Sequence, residues 1–434
     1  MRLIFTARSQ KIYIKIKIGA DNRKVLCYTI RRYSLFTIVR QEVFPLKYWR
    51  GYITAAIFAA VTWGLHEFAK AHGTLVDMIY PYVTRLIQTF LAGWCSGVEF
   101  CLWQVLAVLL VVLLLASIVV MIVLRWNFFQ WLGWVLASAS FLIMLHTGIY
   151  GLNSYAGPLA EDIRLTETDY TVTELAEATN YYLEQANLLA AQVERDADGN
   201  PIFPSFEEMA AQAGSGFQKL TMEESLSVFA GTQIPVKKLG WADMYTSMGI
   251  AGMSMPLTGE AAVNPNIPAV SIPFTMCHEM SHRMCIAIES DANLAAFLAC
   301  RINEDVHFQY SGYFMAFMYC YNALSNVNTS TSDAALAQIR NNASEQFRFD
   351  FNNYIAFYAE NQDETASNVA NTVNDAYIKG SGDDRGTASY GEVCDLLVNW
   401  HIQEIVIPSL TVDVNPFDPY DENQVDLSGI VNAG

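Results

Sequence analysis

His278 and His282 stand four residues apart with Glu279 between them, in the run His278-Glu279-Met280-Ser281-His282. On a helix, positions i and i+4 lie one above the other on the same face. Two imidazoles so placed can share one tetrahedral Zn²⁺, and Glu279 lies beside them, where it can take a proton from a water that the metal polarises. A catalytic zinc normally takes a third protein ligand. Glu289, seven residues after His282, is the first candidate, and Asp291 is its rival. On one unbroken helix Glu289 would lie roughly 10 Å beyond His282, at about 1.5 Å rise per residue, too far to share an ion. The helix is therefore expected to stop just after His282 and the chain to fold back. The stretch ESDANLAAFLAC, which begins at Glu289, then forms a second helix with Glu289 and Asn293 on one face.

Each of these residues also has a plainer reading. His278 and His282 could be core histidines bonded to carbonyls, although two of them flanking a Glu favour metal. Cys277 and Cys285 flank the motif as possible thiolates, but free Cys more often acts as a small buried hydrophobe. Tyr310 could stabilise an oxyanion or simply fill the core. Asn293 could orient a ligand or make an ordinary helix contact. Glu260, in a Thr-Gly-Glu turn, could meet substrate or cap the turn.

The elements that must position this group divide sharply by charge. Residues 1–50 hold 12 Lys/Arg against two acidic residues, whereas residues 151–434 hold 11 against 38. So acidic a segment repels nucleic acid, which excludes that class of partner. Hydrophobic residues make up 53% of the chain and charged residues 16%, which points to a membrane-associated protein. Residues 100–124 and 131–150 are apolar runs long enough to span a bilayer. A third span over about 44–66 requires Lys47 and Arg50 to snorkel outward, since only residues 51–65 are free of charge. By the positive-inside rule the basic tail, 1–43, is cytoplasmic. Three spans then place everything after Tyr150 outside the cytoplasm, and two spans would place it inside. Between the first two runs, residues 77–94 form an amphipathic segment suited to the membrane surface.

The expected organisation is thus a poorly ordered basic tail, a membrane region over 44–150, a mainly α domain over 151–407 and an acidic tail over 408–434. Within the domain, 171–193, 308–324, 333–358, 364–378 and 391–405 read as helices. Ser205 and Thr221 each precede a Glu by three residues, the pattern of a capped helix start. Residues 249–257 are the best strand, and could offer an edge to which a peptide adds. The cysteines show no paired spacing that implies a disulfide framework.

Blocks of sequence along residues 45–405 resemble the bacterial membrane proteins catalogued as domain of unknown function 3810. They include YPYVTR from Tyr80, GLNSY from Gly151, PLTGEAAVN from Pro256, PFTMCHEMSH from Pro273, ESDAN from Glu289, YSGY from Tyr310 and NDAYIK from Asn374. The resemblance implies a zincin-like metallopeptidase domain behind membrane helices, with His278, Glu279 and His282 in the motif positions. Glu289 and Asn293 are similar to the helix that supplies the third ligand in gluzincin peptidases. The chain departs at Cys285, where the family pattern favours Gly. The function expected is that of a multi-pass, membrane-anchored zinc peptidase with Glu279 as general base, acting on a peptide or protein substrate outside the cytoplasm. The alternative is an inactive, metal-stabilised sensor or scaffold that binds a partner protein or a cell-envelope peptide.

Overall fold

The computed structural model describes residues 48–231, 233–385 and 392–408, together with the backbone of three N-terminal strands. It is mostly helical and divides by internal contacts into two compact units, Met1–Ala59 with Ser117–Phe141 and Ala60–Ala116 with Leu142–Gly434.

In the first unit, strands β1 (Leu3–Arg8), β2 (Lys11–Lys17) and β3 (Val25–Arg31) pair antiparallel in that order. A poorly ordered tail was the expectation, so this is a correction. Its physical reason is the strict two-residue alternation of Lys11–Lys17, which a strand can present to two faces. The same unit holds the ends of three helices: α1 (Arg50–Ala71), α3 (Leu102–Val123) and α4 (Phe128–Ile149). Here α1 and α4 touch backbone to backbone, because a Cβ on Gly51 would lie 2.4 Å from the Gly133 carbonyl carbon. Small residues permit such an approach. Among the described residues two helices are long and apolar enough to cross a membrane, α3 and α4. Helix α1 is not among them: its last turns carry His66, Glu67 and Lys70, so it lacks the apolar length of the other two.

The second unit holds α2 (Gly73–Cys95), which follows α1 and precedes α3 in sequence. Its core is built from α5 (Val172–Ala190), α6 (Phe206–Met222), α8 (Ile272–Arg283), α9 (Glu289–Ile302) and α10 (Val306–Ser325). Tyr182, Phe217, Phe297 and Phe314 are fully buried among them. A small sheet lies beside α8, in the order β4 (Lys237–Lys238), β6 (Glu260–Val263) and β5 (Gly252–Met255). Helix α7 (Ala242–Ser247) links its first two strands in sequence.

Sequence and structure differ at two further places. The single helix expected over 333–358 is two, α11 (Ser330–Asn342) and α12 (Glu345–Asn361). Ala343 is extended and Ser344 caps α12 by accepting from the Phe347 N–H, so a local cap outcompetes helix continuation. Thr221, expected to start a helix, instead lies at the end of α6, where its hydroxyl donates to the Phe217 carbonyl. The box at Ser205 is formed as expected, and Thr171 forms a second one with Glu174 that the sequence reading did not name. Helix α13 (Glu364–Ser381) ends at Gly382, whose φ of 114° suits glycine. The helix expected over 391–405 begins as α14 (Val393–His401). Beyond Pro408, the acidic tail lies outside the described residues.

Candidate metal centre

Helix α8 carries the two histidines on one face, one turn from its end. Met284 ends the helix and Cys285 takes a left-handed backbone, with φ 73°. That handed turn reverses the chain, and four residues later α9 opens on Glu289. Cys285, where the resemblance implies Gly, thus stands at a position that demands positive φ. Cys285 pays for it in strain, so Cys285→Gly is expected to stabilise the domain by about 1 kcal/mol, measured by thermal or denaturant unfolding. Cys285→Val is expected to do the reverse.

The turn also aims the second imidazole. His282 Nδ1 donates to the Ile286 carbonyl at 2.9 Å, which fixes the ring with Nε2 turned toward His278 and Glu289. Helix α2 grips the same turn: Arg85 donates to the carbonyls of Met284, Ser227 and Ala230, and the Thr84 hydroxyl to the Cys285 sulfur.

His278, His282 and Glu289 form a group that could hold a metal ion, their ligand atoms all within 4.8 Å of one another. The two Nε2 atoms are 3.1 Å apart, and Glu289 Oε2 lies 3.3 Å from His278 Nε2 and 3.5 Å from His282 Nε2. An ion about 2.0–2.1 Å from three tetrahedral ligands sets those atoms about 3.3 Å apart, so the spacing fits. His278 Nδ1 and Glu279 Oε2 are buried and make no hydrogen bond. Orphaned polar atoms are rare in a folded interior and mark a site built for a further group. Glu279 lies under β5, where a Cβ on Gly252 would come within 2.5 Å of its Oε1. Only glycine lets the strand pass so close.

Electrostatics tie the group together. Burial pushes the Glu279 carboxyl up to about 7, although both histidines pull it down. Burial alone would lower His282, but the Glu289 carboxylate outweighs it and raises the imidazole to about 9. Burial opposes the charge of Glu289 as well, yet His282 and His278 hold it well below the usual carboxylate range. A metal must therefore displace a proton from His282. Apparent metal affinity is expected to fall about tenfold for each pH unit below about 9, measured by competition against a chelator. An affinity independent of pH there would contradict the pairing.

The other candidates separate. Asp291 is not a ligand: its Oδ2 accepts from the Leu159 N–H at 3.0 Å, and burial raises its pKa to about 6. Tyr310 is not at the group either, since its hydroxyl donates to Asp350 at 2.6 Å, and Asp350 is paired with Arg195. Glu260 lies away from the group: it pairs with Lys237 and accepts from the Leu102 and Trp103 N–H groups, capping α3. Cys277 donates to the Ala213 carbonyl, away from the ligands. Asn293 stays close, one turn behind Glu289, and its Oδ1 accepts from the Tyr319 hydroxyl at 3.0 Å. Tyr319 was missed. Burial, and then the charge of Glu289, push its phenol above the ordinary range. Nothing in the sequence marks Tyr319 over Tyr310, nine residues earlier on the same helix.

Fold and site together define a mostly helical protein with, among the described residues, two helices apolar enough to cross a membrane and one candidate metal group. The model of the family described as protein of unknown function (DUF3810) matches residues 76–398, and the chain belongs to that family. No curated protein and no solved structure matches it.

Proposed function

We propose that this protein is a membrane-anchored zinc metallopeptidase with a zincin-like site of the gluzincin type. The observation that carries the reading is the separation of three ligand atoms by 3.1, 3.3 and 3.5 Å beside a buried, unpartnered carboxylate oxygen of Glu279. His278, His282 and Glu289 hold the ion. Two nitrogens and one oxygen suit zinc, and three protein ligands leave a position open. Bound there, zinc supplies Lewis acidity toward a water and a peptide carbonyl.

The chain's own residues do the rest. Glu279, with a pKa near 7, can accept a proton from the attacking water and pass it to the leaving amine, since a base tuned near the working pH serves both steps. Strand β5 ends its sheet, and its outer edge is unpaired among the described residues. A peptide adding to that edge would run past Gly252, directly over Glu279. Asn293, held by Tyr319, supports the helix that carries Glu289. We further propose that α1 crosses the bilayer together with α3 and α4, its charged last turns lying at the headgroups, which would put the metal group outside the cytoplasm.

The test is metal removal. The purified full chain is expected to carry one zinc, to lose hydrolysis of a peptide library on chelation, and to regain it when zinc returns. Hydrolysis that persists in the stripped protein would overturn the proposal.

A further inference from the structure

Helix α2 is amphipathic the wrong way round for a soluble domain. Its polar side chains face the protein: Thr84, Arg85 and Gln88 are buried, and Gln88 donates to the Pro256 carbonyl. Its two charged residues both bond inward, Asp77 to the Gly157 N–H and Arg85 to the carbonyls around Met284. The opposite side carries Met78, Ile79, Tyr82, Leu86, Phe90 and Trp94, with Leu86 73%, Phe90 71% and Trp94 79% exposed. These positions follow helical spacing and form one stripe without a charge. A surface helix in water would be turned over.

What covers the stripe is set by what α2 is joined to. Lys237 donates to the Cys95 carbonyl at the end of α2, to the Phe100 carbonyl, and to Glu260. Glu260 in turn caps the first turn of α3. One buried ion pair thus fixes the end of α2 at the level where the apolar helix α3 begins. From Val105 onward α3 exposes leucine and valine, and none of its most apolar stretch is buried. The exposed apolar face of α2 thus ends where that apolar helix starts, and Tyr82 and Trp94 are residue types that favour the boundary between headgroups and acyl chains.

We propose that α2 lies in the plane of the bilayer surface, with its Leu86–Phe90–Trp94 face sunk among phospholipid chains. Its inner face then serves as a strut, since Arg85 and Thr84 hold the turn that brings Glu289 to the histidines. The metal group is kept about one helix diameter, roughly 10–12 Å, from lipid. Under the hydrolytic reading, on which only this consequence rests, substrates are polypeptide segments lying close to the membrane surface.

The test uses the full chain in phosphatidylcholine and phosphatidylglycerol vesicles, with a photoreactive benzophenone side chain placed singly at Leu86, Phe90 or Glu360. Glu360 is an exposed control on α12. After irradiation, mass spectrometry is expected to find phospholipid adducts at Leu86 and Phe90 and to lose them at Glu360. Cross-links from Leu86 and Phe90 to a second copy or another protein would overturn the proposal, as would lipid adducts no more frequent there than at Glu360. The readout does not depend on metal or on turnover, so it stands apart from the fate of the peptidase reading.

Discussion

Glu279→Gln is expected to lower kcat by about 10²–10⁴-fold while one zinc per chain is retained, because a positioned general base contributes an acceleration of that size. The amide keeps the shape of the carboxyl but cannot accept the proton. None of the three ligand atoms is touched, so metal content and fold should survive. Stability should even lose a weakness. The folded carboxyl binds its proton more tightly than the unfolded one, with a pKa near 7 against 4.5. Metal-free wild type therefore loses that contribution as pH rises through the window, and the Gln variant should lose less. Zinc analysis, peptide turnover and unfolding at several pH values read all three. Turnover that survives the change would end the proposed mechanism. A cellular role untouched by it, yet lost on His278→Ala, would favour the metal-stabilised sensor or scaffold.

The pair of histidines was legible because a spacing of four has one meaning on a helix, whatever surrounds it. The reversal after His282 was legible for a similar reason, since distance alone forbids Glu289 from reaching the ion along one helix. The means of reversal was half visible: the departure at Cys285 marked the position, but only the backbone shows that it stands at positive φ. Tyr310 and Glu260 lie away from the metal group for a different cause. Their types suit catalysis, but which partner a side chain meets depends on residues far off in sequence, Asp350 for one and Lys237 with the start of α3 for the other. Helix α2 shows the same limit. Its two faces could be read from periodicity, whereas the fact that its polar face packs inward depends on the Met284 turn and the Ser227 loop.

Removing Glu289 is expected to have the other large effect, on metal rather than on chemistry. Glu289→Ala takes away one of three ligand atoms and should weaken metal binding by more than the 10–100-fold typical of losing a supporting contact to a ligand. It also leaves the histidines without the carboxylate that makes His282 basic, so the imidazole should fall from about 9 toward lower pH. Two readouts then move together: affinity drops, and what remains of it depends less on pH between neutrality and 9. A carboxylate that pairs with His282 without holding the ion would shift the second and leave the affinity above about pH 9 unchanged. Breaking so buried a pair can cost the metal-free domain about 3–5 kcal/mol. Glu289→Gln, which keeps the volume, is the companion variant for which folding is easier to retain. Asp291→Asn is the matched control, because its carboxylate holds the Leu159 N–H and not the ring nitrogens. It should lose about 1 kcal/mol of stability at most and no metal. If Asp291→Asn strips the ion while Glu289→Gln keeps it, the ligand set is wrong, and the reversal at Cys285 serves packing rather than a metal.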